Sequence, residues 1–177
     1  KETRAKFDIP DIGDFALVTV HPETVNPESN QRFAAVICDT LVELADSIAL
    51  VITLPNADTY GTLYREQLYS LKNQKPDKVF LIENFGRSYY FSAMKYTKFL
   101  LGNSSSGILE AASFEKKVIN IGDRQKGRTQ SENILNVSFN KAEILDACTS
   151  LKKQPAYNGK NVYYKAGGIN EIINRLL

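Results

Sequence analysis

A turn rich in glycine and serine, Gly102 to Gly107, has the residue types best suited to binding an anion. Its glycines allow a ligand to approach the backbone closely, and Ser104, Ser105 and Ser106 supply hydroxyl donors. A helix that begins near Ser105 would also present unpaired N–H groups and the positive end of its dipole. The pattern predicts a phosphate site, although the same serines could serve only to cap the helix.

Two common phosphate-binding motifs are excluded at this turn. The turn has the G-x-x-x-x-G spacing of a P-loop, but Ile108 and Leu109 occupy the positions where a P-loop requires Lys and then Ser or Thr. The G-x-G-x-x-G pattern of a dinucleotide-binding turn is absent from the sequence. We expect no cofactor, and the missing dinucleotide-binding pattern agrees with the absence of a nicotinamide site.

Further polar groups that could contact a ligand follow other predicted strands. Glu110 lies about one turn into the helix, where a carboxylate can accept hydrogen bonds from ribose hydroxyls or can simply face solvent. Arg124, Lys126 and Arg128 could clamp a diphosphate, or they could form a solvated loop. His21 ends a predicted strand and is a candidate phosphate donor or proton relay, with a structural role as the alternative.

A regular alternation of strands and helices positions these residues. Short apolar runs predict six strands, at 16–20, 48–54, 78–82, 98–101, 117–121 and 133–137. Apolar residues at helical spacing predict helices at 27–44, 62–72, 87–95, 107–114 and 141–152. Apolar strands separated by helices indicate βαβ units, so the fold class expected is α/β, a Rossmann-like parallel sheet with helices on both faces. Ligands of such sheets bind beyond the carboxyl ends of the strands.

The composition excludes several classes of protein. With 177 residues, 43% hydrophobic and 24% charged, the chain is expected to form one globular domain. Its 22 basic and 20 acidic residues, a net charge of +2, are too balanced for a nucleic-acid or membrane partner. One histidine and two distant cysteines, Cys38 and Cys148, argue against a metal site and a disulfide, so a cytoplasmic location is expected. The sequence shows neither an apolar run of roughly 18 residues nor a secretory signal.

Both ends of the sequence suggest a neighbouring domain. The chain begins without methionine, so it is expected to be either an excised fragment or the back half of a longer protein. Residues 168–177 carry an apolar stripe at i, i+3, i+4 and i+7, which predicts a helix with one apolar face. That face would pack either on its own domain or on another one.

Five segments, taken in order, resemble a single enzyme family. The sequence is similar to the UDP-N-acetylglucosamine 2-epimerases, and most similar to their hydrolysing branch. The segments that carry this resemblance are 21–24, 55–58, 102–114, 118–128 and 132–133. Together they span most of the chain.

The resemblance implies an architecture. Residues 1–177 would form the C-terminal, nucleotide-binding half of a two-domain GT-B enzyme, which is usually a homodimer. The helix at 168–177 would cross back to the missing N-terminal domain. The partners implied are UDP and a UDP-activated N-acetylated sugar.

The same resemblance assigns roles to individual residues. It implies that His21 is catalytic and assists the departure of UDP, and that Arg124 serves the diphosphate or orders the loop beside it. Glu110 would hold the ribose hydroxyls. The other substrate-binding positions that it implies are Asn56 and Asp58 in the cleft, Tyr90 near the uracil, and Ser104, Ser105, Ser106 and Gly107 at the diphosphate.

The implied reaction is elimination of UDP to give a 2-acetamidoglucal, followed by addition of water. The products would be UDP and N-acetylmannosamine, or a close N-acetylated analogue, for sialic-acid-type sugar synthesis. Because the carboxylates credited with proton transfer lie in the N-terminal half, we expect this chain alone to be inactive. A GT-B glycosyltransferase donor domain and a non-catalytic module that binds UDP-sugars remain as alternatives.

Overall fold

Six parallel strands form the centre of the computed structural model, which describes residues 2–24, 27–57 and 59–165. The strands are β1 (Phe15–Thr19), β2 (Ala49–Thr53), β3 (Val79–Ile82), β4 (Phe99–Gly102), β5 (Val118–Ile121) and β6 (Ile134–Val137). Their order across the sheet is β3-β2-β1-β4-β5-β6, and every neighbouring pair is parallel. The α/β fold class and the Rossmann-like sheet are confirmed.

Helices connect these strands. They are α1 (Glu2–Lys6), α2 (Asn30–Leu44), α3 (Thr59–Gln74), α4 (Gly86–Tyr96), α5 (Ser105–Leu109) and α6 (Lys141–Lys152). Short 3-10 turns precede α2 at Pro27–Ser29 and follow α5 at Ala111–Phe114. The carbonyl oxygen of the Asn140 side chain caps α6 by accepting the N–H of Glu143 at 3.1 Å, which satisfies one of the donors left unpaired at a helix start.

Both faces of the sheet are covered, as predicted. Alternate residues along a strand point to opposite faces, so Val18 and Ile52 pack against α2, α3 and α6. Leu17 and Val51 point the other way, toward α4 and the second 3-10 turn. Because neither face meets water, the strands have continuous apolar sequences rather than alternating ones.

The structure differs from the predicted helices at several points. Helix α3 extends beyond both ends of the predicted 62–72, and α1 was not predicted. The single helix predicted at 107–114 is instead α5 followed by a separate 3-10 turn. The side-chain amide of Asn161 donates to the Leu109 carbonyl at 2.8 Å, so that carbonyl is satisfied without a continuing helix. The helix predicted at 168–177 lies outside the described residues.

Both cysteines belong to the core. Cys38 and Cys148 are buried and are not joined in a disulfide. Burial raises the pKa of the Cys148 thiol to about 12, so the thiol stays protonated and serves as a small apolar side chain. No helix within the described ranges is long and apolar enough to cross a membrane.

Candidate functional site

The carboxyl ends of β1 and β4 lie side by side at the centre of the sheet, where the strand order reverses. The chain leaves these two strands in opposite directions, and this opens a crevice between the loops that follow them. Ligands of open α/β sheets bind in such a crevice. The segment after β1 begins at His21, and the segment after β4 is the serine turn.

The serine turn is held by its own hydroxyl groups. Ser104 is the N-cap of α5, and its Oγ accepts the N–H of Ser106 at 3.4 Å. The Oγ atoms of Ser104 and Ser106 lie 3.0 Å apart, and the Tyr90 hydroxyl lies 2.8 Å from Ser106 Oγ. Helix α5 has only five residues, so its dipole is small. The structure shows the helix cap at Ser104, and the role of the serines as anion donors stays a prediction.

The hydroxyl contacts continue from the turn into the sheet. The Tyr90 hydroxyl lies 3.4 Å from Thr19 Oγ1, which lies 2.6 Å from Thr53 Oγ1. The five hydroxyl groups of Thr53, Thr19, Tyr90, Ser106 and Ser104 therefore form one connected series, which we call the hydroxyl chain. It ties the serine turn to β1 and β2.

The two glycines of the turn pack against protein atoms. A Cβ on Gly107 would lie 3.0 Å from a methyl carbon of Val118, so this glycine lets α5 pack closely on β5. A Cβ on Gly102 would lie 1.9 Å from the backbone oxygen of Thr19. Both glycines are therefore needed for close packing between neighbouring strands and helices, and close approach of a ligand at this turn stays a prediction.

Asn103 joins the two sides of the crevice. It is fully buried, its side chain accepts the His21 backbone N–H at 2.7 Å, and it donates to the His21 carbonyl at 2.8 Å. Its own carbonyl accepts hydrogen bonds from Arg124 Nη1 at 3.2 Å and from Gln125 Nε2 at 2.8 Å. The structure thus brings His21, the serine turn and Arg124 together around Asn103.

Glu23 connects the segment after β1 with the start of α2 and with the loop that carries Arg124. The Asn30 side chain accepts the Glu23 N–H at 2.8 Å and donates to the Glu23 carbonyl at 2.9 Å. One carboxylate oxygen of Glu23 accepts the Arg124 backbone N–H at 3.2 Å. Burial raises the pKa of Glu23, although the Arg124 N–H opposes the rise. Glu23 therefore anchors the loop that carries Arg124.

An open cavity of about 460 Å³ lies beside this cluster. It is lined by His21, Pro22, Glu23, Thr24, Pro27, Asn56, Tyr60 and Arg124. Asn56 thus lines the same space as His21 and Arg124, while Asp58 lies outside the described residues.

Among the three basic residues of the loop after β5, the structure distinguishes one from the others. Arg124 is partly buried and bonded to Asn103. Lys126 is exposed, with its ammonium 3.7 Å from Asp123, and Arg128 is exposed as well. Only Arg124 of these three therefore lines the cavity. The solvated-loop interpretation fits Lys126 and Arg128.

Glu110 closes the far end of α5 and carries a buried oxygen. It is the C-cap of α5, and its Oε2 is enclosed with no hydrogen-bond partner among the described residues. Burial raises the pKa of Glu110, and the nearby positive charge of Arg87 opposes the rise. A buried acceptor without a donor is costly, and a ligand hydroxyl could supply that donor.

Replacing Glu110 by glutamine should raise the melting temperature at neutral pH by roughly 1–2 °C, a small effect because the residue is partly exposed. The folded state binds this proton more tightly than the unfolded state, so stability falls as pH rises from the ordinary value of 4.5 through the raised pKa. Glutamine carries no charge and should remove that pH dependence. Thermal unfolding followed from about pH 4 to pH 8 measures it.

The matched control for this variant is Glu132→Gln, at an exposed loop position. It should leave the melting temperature and its pH dependence unchanged. An equal rise in both variants would contradict a specific cost of the buried Glu110 charge.

Three buried residues of this cluster were missed in the sequence, namely Asn103, Glu23 and Asn30. Asn30 opens α2, where an asparagine suggests a helix cap, yet its side chain bonds back to Glu23. Glu23 and Asn103 lie in two of the segments that carry the family resemblance, 21–24 and 102–114. Their place in those segments is the one feature of the sequence that could have marked them as part of the site. Within the described residues no cluster of histidine, cysteine, aspartate or glutamate is suited to hold a metal ion.

The strand order and the polar crevice at its reversal define the class of this protein, an α/β domain of the Rossmann-like type. Residues 2–177 match the family described as UDP-N-acetylglucosamine 2-epimerase, so the chain belongs to that family. The resemblance inferred from the sequence is confirmed at the level of the family.

Two curated relatives are described as hydrolysing enzymes. GDP/UDP-N,N'-diacetylbacillosamine 2-epimerase (hydrolyzing) of Campylobacter jejuni is 40% identical over 124 residues, 70% of this chain and 32% of the relative. UDP-N,N'-diacetylbacillosamine 2-epimerase (hydrolyzing) of Legionella pneumophila is 33% identical over 148 residues, 83% of this chain and 38% of the relative. The matched segments thus span about a third of the length of these relatives.

Solved structures share the fold over nearly half of their length. UDP-GlcNAc 2-epimerase from Neisseria meningitidis bound to UDP-GlcNAc has a TM-score of 0.74 at 19% identity, over 99% of this chain and 48% of that one. ADP-heptose lps heptosyltransferase II of E. coli has a TM-score of 0.63 at 11% identity, over 85% of this chain and 50% of that one. At these identities the likeness concerns the fold alone.

Proposed function

We propose that this chain is the C-terminal, nucleotide-binding domain of a two-domain hydrolysing 2-epimerase that acts on a UDP-activated 2-acetamido sugar. The observation that carries the proposal is the meeting of Ser104, His21 and Arg124 around the buried Asn103 at the reversal of strand order. His21 and Arg124 line one open cavity, and Ser104 directly follows Asn103 in the chain. Imidazole, guanidinium and hydroxyl groups placed around one residue in this way are suited to bind a diphosphate. Membership of the epimerase family supports the same assignment.

Each part of the site then has a proposed role. Ser104, Ser105 and Arg124 hold the diphosphate, and Glu110 offers its unpartnered oxygen to the ribose hydroxyls. His21 lies beside the phosphates and assists the departure of UDP. Four further positions complete the proposed contacts: Asn56 and Asp58 on the sugar side, Tyr90 toward the uracil, and Gly107 where α5 packs beneath the phosphates.

The chemistry assigned to these residues is charge stabilisation. The bond between C1 of the sugar and the diphosphate oxygen breaks, its electrons leave with UDP, and the C2 proton passes to a base of the other domain. Water then adds across the resulting double bond, its oxygen to C1 and a proton to C2 with inversion. Losing one good donor to the leaving group costs about 3 kcal/mol of barrier. The reaction is redox-neutral, so a nicotinamide has no role in it.

The absence of basic residues after His21 favours the hydrolytic outcome. Pro22, Glu23 and Thr24 follow the histidine, and none is cationic. Fewer positive charges at the leaving diphosphate weaken its retention, since each opposite charge strengthens binding. UDP therefore leaves, and water takes its place at C1. The names of both hydrolysing relatives support this branch.

The sugar proposed first is N,N'-diacetylbacillosamine, because both hydrolysing relatives are named for it. UDP-N-acetylglucosamine, which would give N-acetylmannosamine for sialic-acid-type synthesis, is the second substrate to test. We further propose that the two-domain protein is a cytoplasmic homodimer, and that 168–177 forms the helix that crosses to the preceding domain.

Proton NMR on the full-length protein that contains this chain tests the proposal. Incubation with either UDP-sugar should release free UDP and the C2-inverted free sugar, and the 177-residue chain alone should release neither. Accumulation of a C2-inverted UDP-sugar without free UDP would contradict the hydrolytic reaction. Binding of the UDP-sugar with no turnover by the full-length protein would favour a non-catalytic module instead.

A further inference from the structure

Asn103 extends the pairing between β1 and β4 beyond its last backbone partners. The regular pairing ends at Thr19 and Gly102, and the next bond runs from the Asn103 N–H to the Thr19 carbonyl at 3.1 Å. Beyond that bond, the side-chain amide of Asn103 takes the role that a backbone peptide of β4 would have in the sheet. It accepts the His21 N–H and donates to the His21 carbonyl. The segment that carries His21 is thus fixed to β4 by two hydrogen bonds in a fully buried place.

The backbone carbonyl of Asn103 serves the opposite side of the crevice. It accepts one hydrogen bond from the Arg124 guanidinium and another from the Gln125 amide. The direction of this carbonyl depends on the Asn103 peptide plane, which the side-chain bonds to His21 hold in place. A single residue therefore sets the placement of His21 and of Arg124 together.

We propose that Asn103 is a positioning residue that fixes His21 and the Arg124 guanidinium relative to each other. The expected effect of Asn103 on UDP affinity rests on the proposed function, because it assumes that UDP binds between His21 and Arg124. Without the two side-chain bonds, the Asn103 N–H on the Thr19 carbonyl still holds the peptide before Asn103, but the peptide between Asn103 and Ser104, which carries the Asn103 carbonyl, can rotate. Arg124 then loses the acceptor that orients it, even though no atom of Arg124 has changed.

His21 is the single histidine of the sequence, so its imidazole signals in an NMR spectrum need no assignment. In the 177-residue chain without ligand, Asn103→Ala should shift these signals and increase hydrogen exchange of the His21 amide at least about tenfold, because that amide loses its acceptor. Unchanged His21 signals in the folded variant would overturn the proposal.

Asn133→Ala is the matched control. Asn133 is also buried and its side chain donates to the Lys116 carbonyl at 2.8 Å, near the amino end of β5. This variant should lose stability while the His21 signals stay in place. Should Asn103→Ala fail to fold, Asn103→Asp keeps the size and the acceptor but has no donor for the His21 carbonyl. It is expected to shift the same signals, and unchanged signals would again overturn the proposal.

UDP affinity measured by calorimetry tests the coupling to Arg124. Asn103→Ala should weaken binding about tenfold, and combining it with Arg124→Ala should cost little beyond the Arg124 variant alone, since coupled residues are not additive. Fully additive losses would overturn the coupling. Failure of the wild-type chain to bind UDP would contradict the proposed function, whereas the placement of His21 is decided by the ligand-free spectra.

Discussion

Replacing Gly102 by alanine should destabilise the protein by at least about 4 kcal/mol, enough to leave much of the chain unfolded. The added Cβ would lie 1.9 Å from the Thr19 backbone oxygen and 2.6 Å from its carbonyl carbon. The clash involves the backbone of the neighbouring central strand, so no side chain can move to relieve it. Gly102 also has a φ of +139°, which L side chains rarely adopt. Urea unfolding followed by circular dichroism measures the loss.

Gly127→Ala is the control for that prediction. Gly127 also has a positive φ, +84°, but a Cβ there would meet no atom within 4 Å. We therefore expect only the backbone cost of that conformation, roughly 1–2 kcal/mol. Equal losses in the two variants would show that the backbone conformation, rather than the contact with β1, makes glycine necessary at position 102.

Arg124→Ala should weaken UDP binding by roughly 30- to 100-fold, the effect of removing a charged hydrogen-bond donor from a diphosphate. Arg124 is the basic residue of its loop that lines the cavity, and Asn103 orients its guanidinium. Arg124→Lys should recover only part of the affinity, because an ammonium lacks the planar fork of a guanidinium. Isothermal titration calorimetry with UDP measures both.

Arg128→Ala is the control for the change in net charge. It removes the same positive charge from the same loop, but at an exposed position. UDP affinity should fall less than about threefold, because long-range attraction by exposed charges is screened. Losses of similar size in the two variants would mean that the net charge of the loop, rather than the placement of Arg124, drives binding.

The strands were predictable because a buried parallel strand leaves a local signal. Runs such as 48–54 are apolar on both faces and end at a proline or a polar residue. A strand that is buried in the sheet can therefore be recognised from its residue types alone. Helix α6 begins and ends where predicted, at Lys141 and Lys152. Helix α1 left no comparable signal, because none of its five residues is buried.

The division of the predicted 107–114 helix depends on contacts that no local pattern contains. The Leu109 carbonyl is taken by Asn161, which lies 52 residues further along the chain. Likewise, the difference between Arg124 and Arg128 depends on which of them reaches the Asn103 carbonyl. Residue types at strand ends thus indicated the candidate site. The contacts of Asn103 and Glu23 could not be predicted in this way, because they depend on the pairing of β1 with β4.

The O–H bonds of the hydroxyl chain, which runs from Thr53 through Thr19, Tyr90 and Ser106 to Ser104, can point in either of two directions. Each hydroxyl can both donate and accept, so each direction gives a continuous series of hydrogen bonds. In one direction Thr53 donates to a backbone carbonyl of β1, and every other hydroxyl donates toward the sheet. In the other, every hydroxyl donates toward the crevice. The diphosphate proposed to bind beside Ser104 would select the second direction.

Aligned hydroxyl groups polarise one another, so the last donor becomes stronger than an isolated serine would be. The chain can reverse by rotation of its O–H bonds, with no movement of a heavy atom. Departure of the proposed diphosphate would remove that preference and let the O–H bonds turn back. The hydroxyl chain would thus act as a dipole whose direction depends on whether the diphosphate is bound.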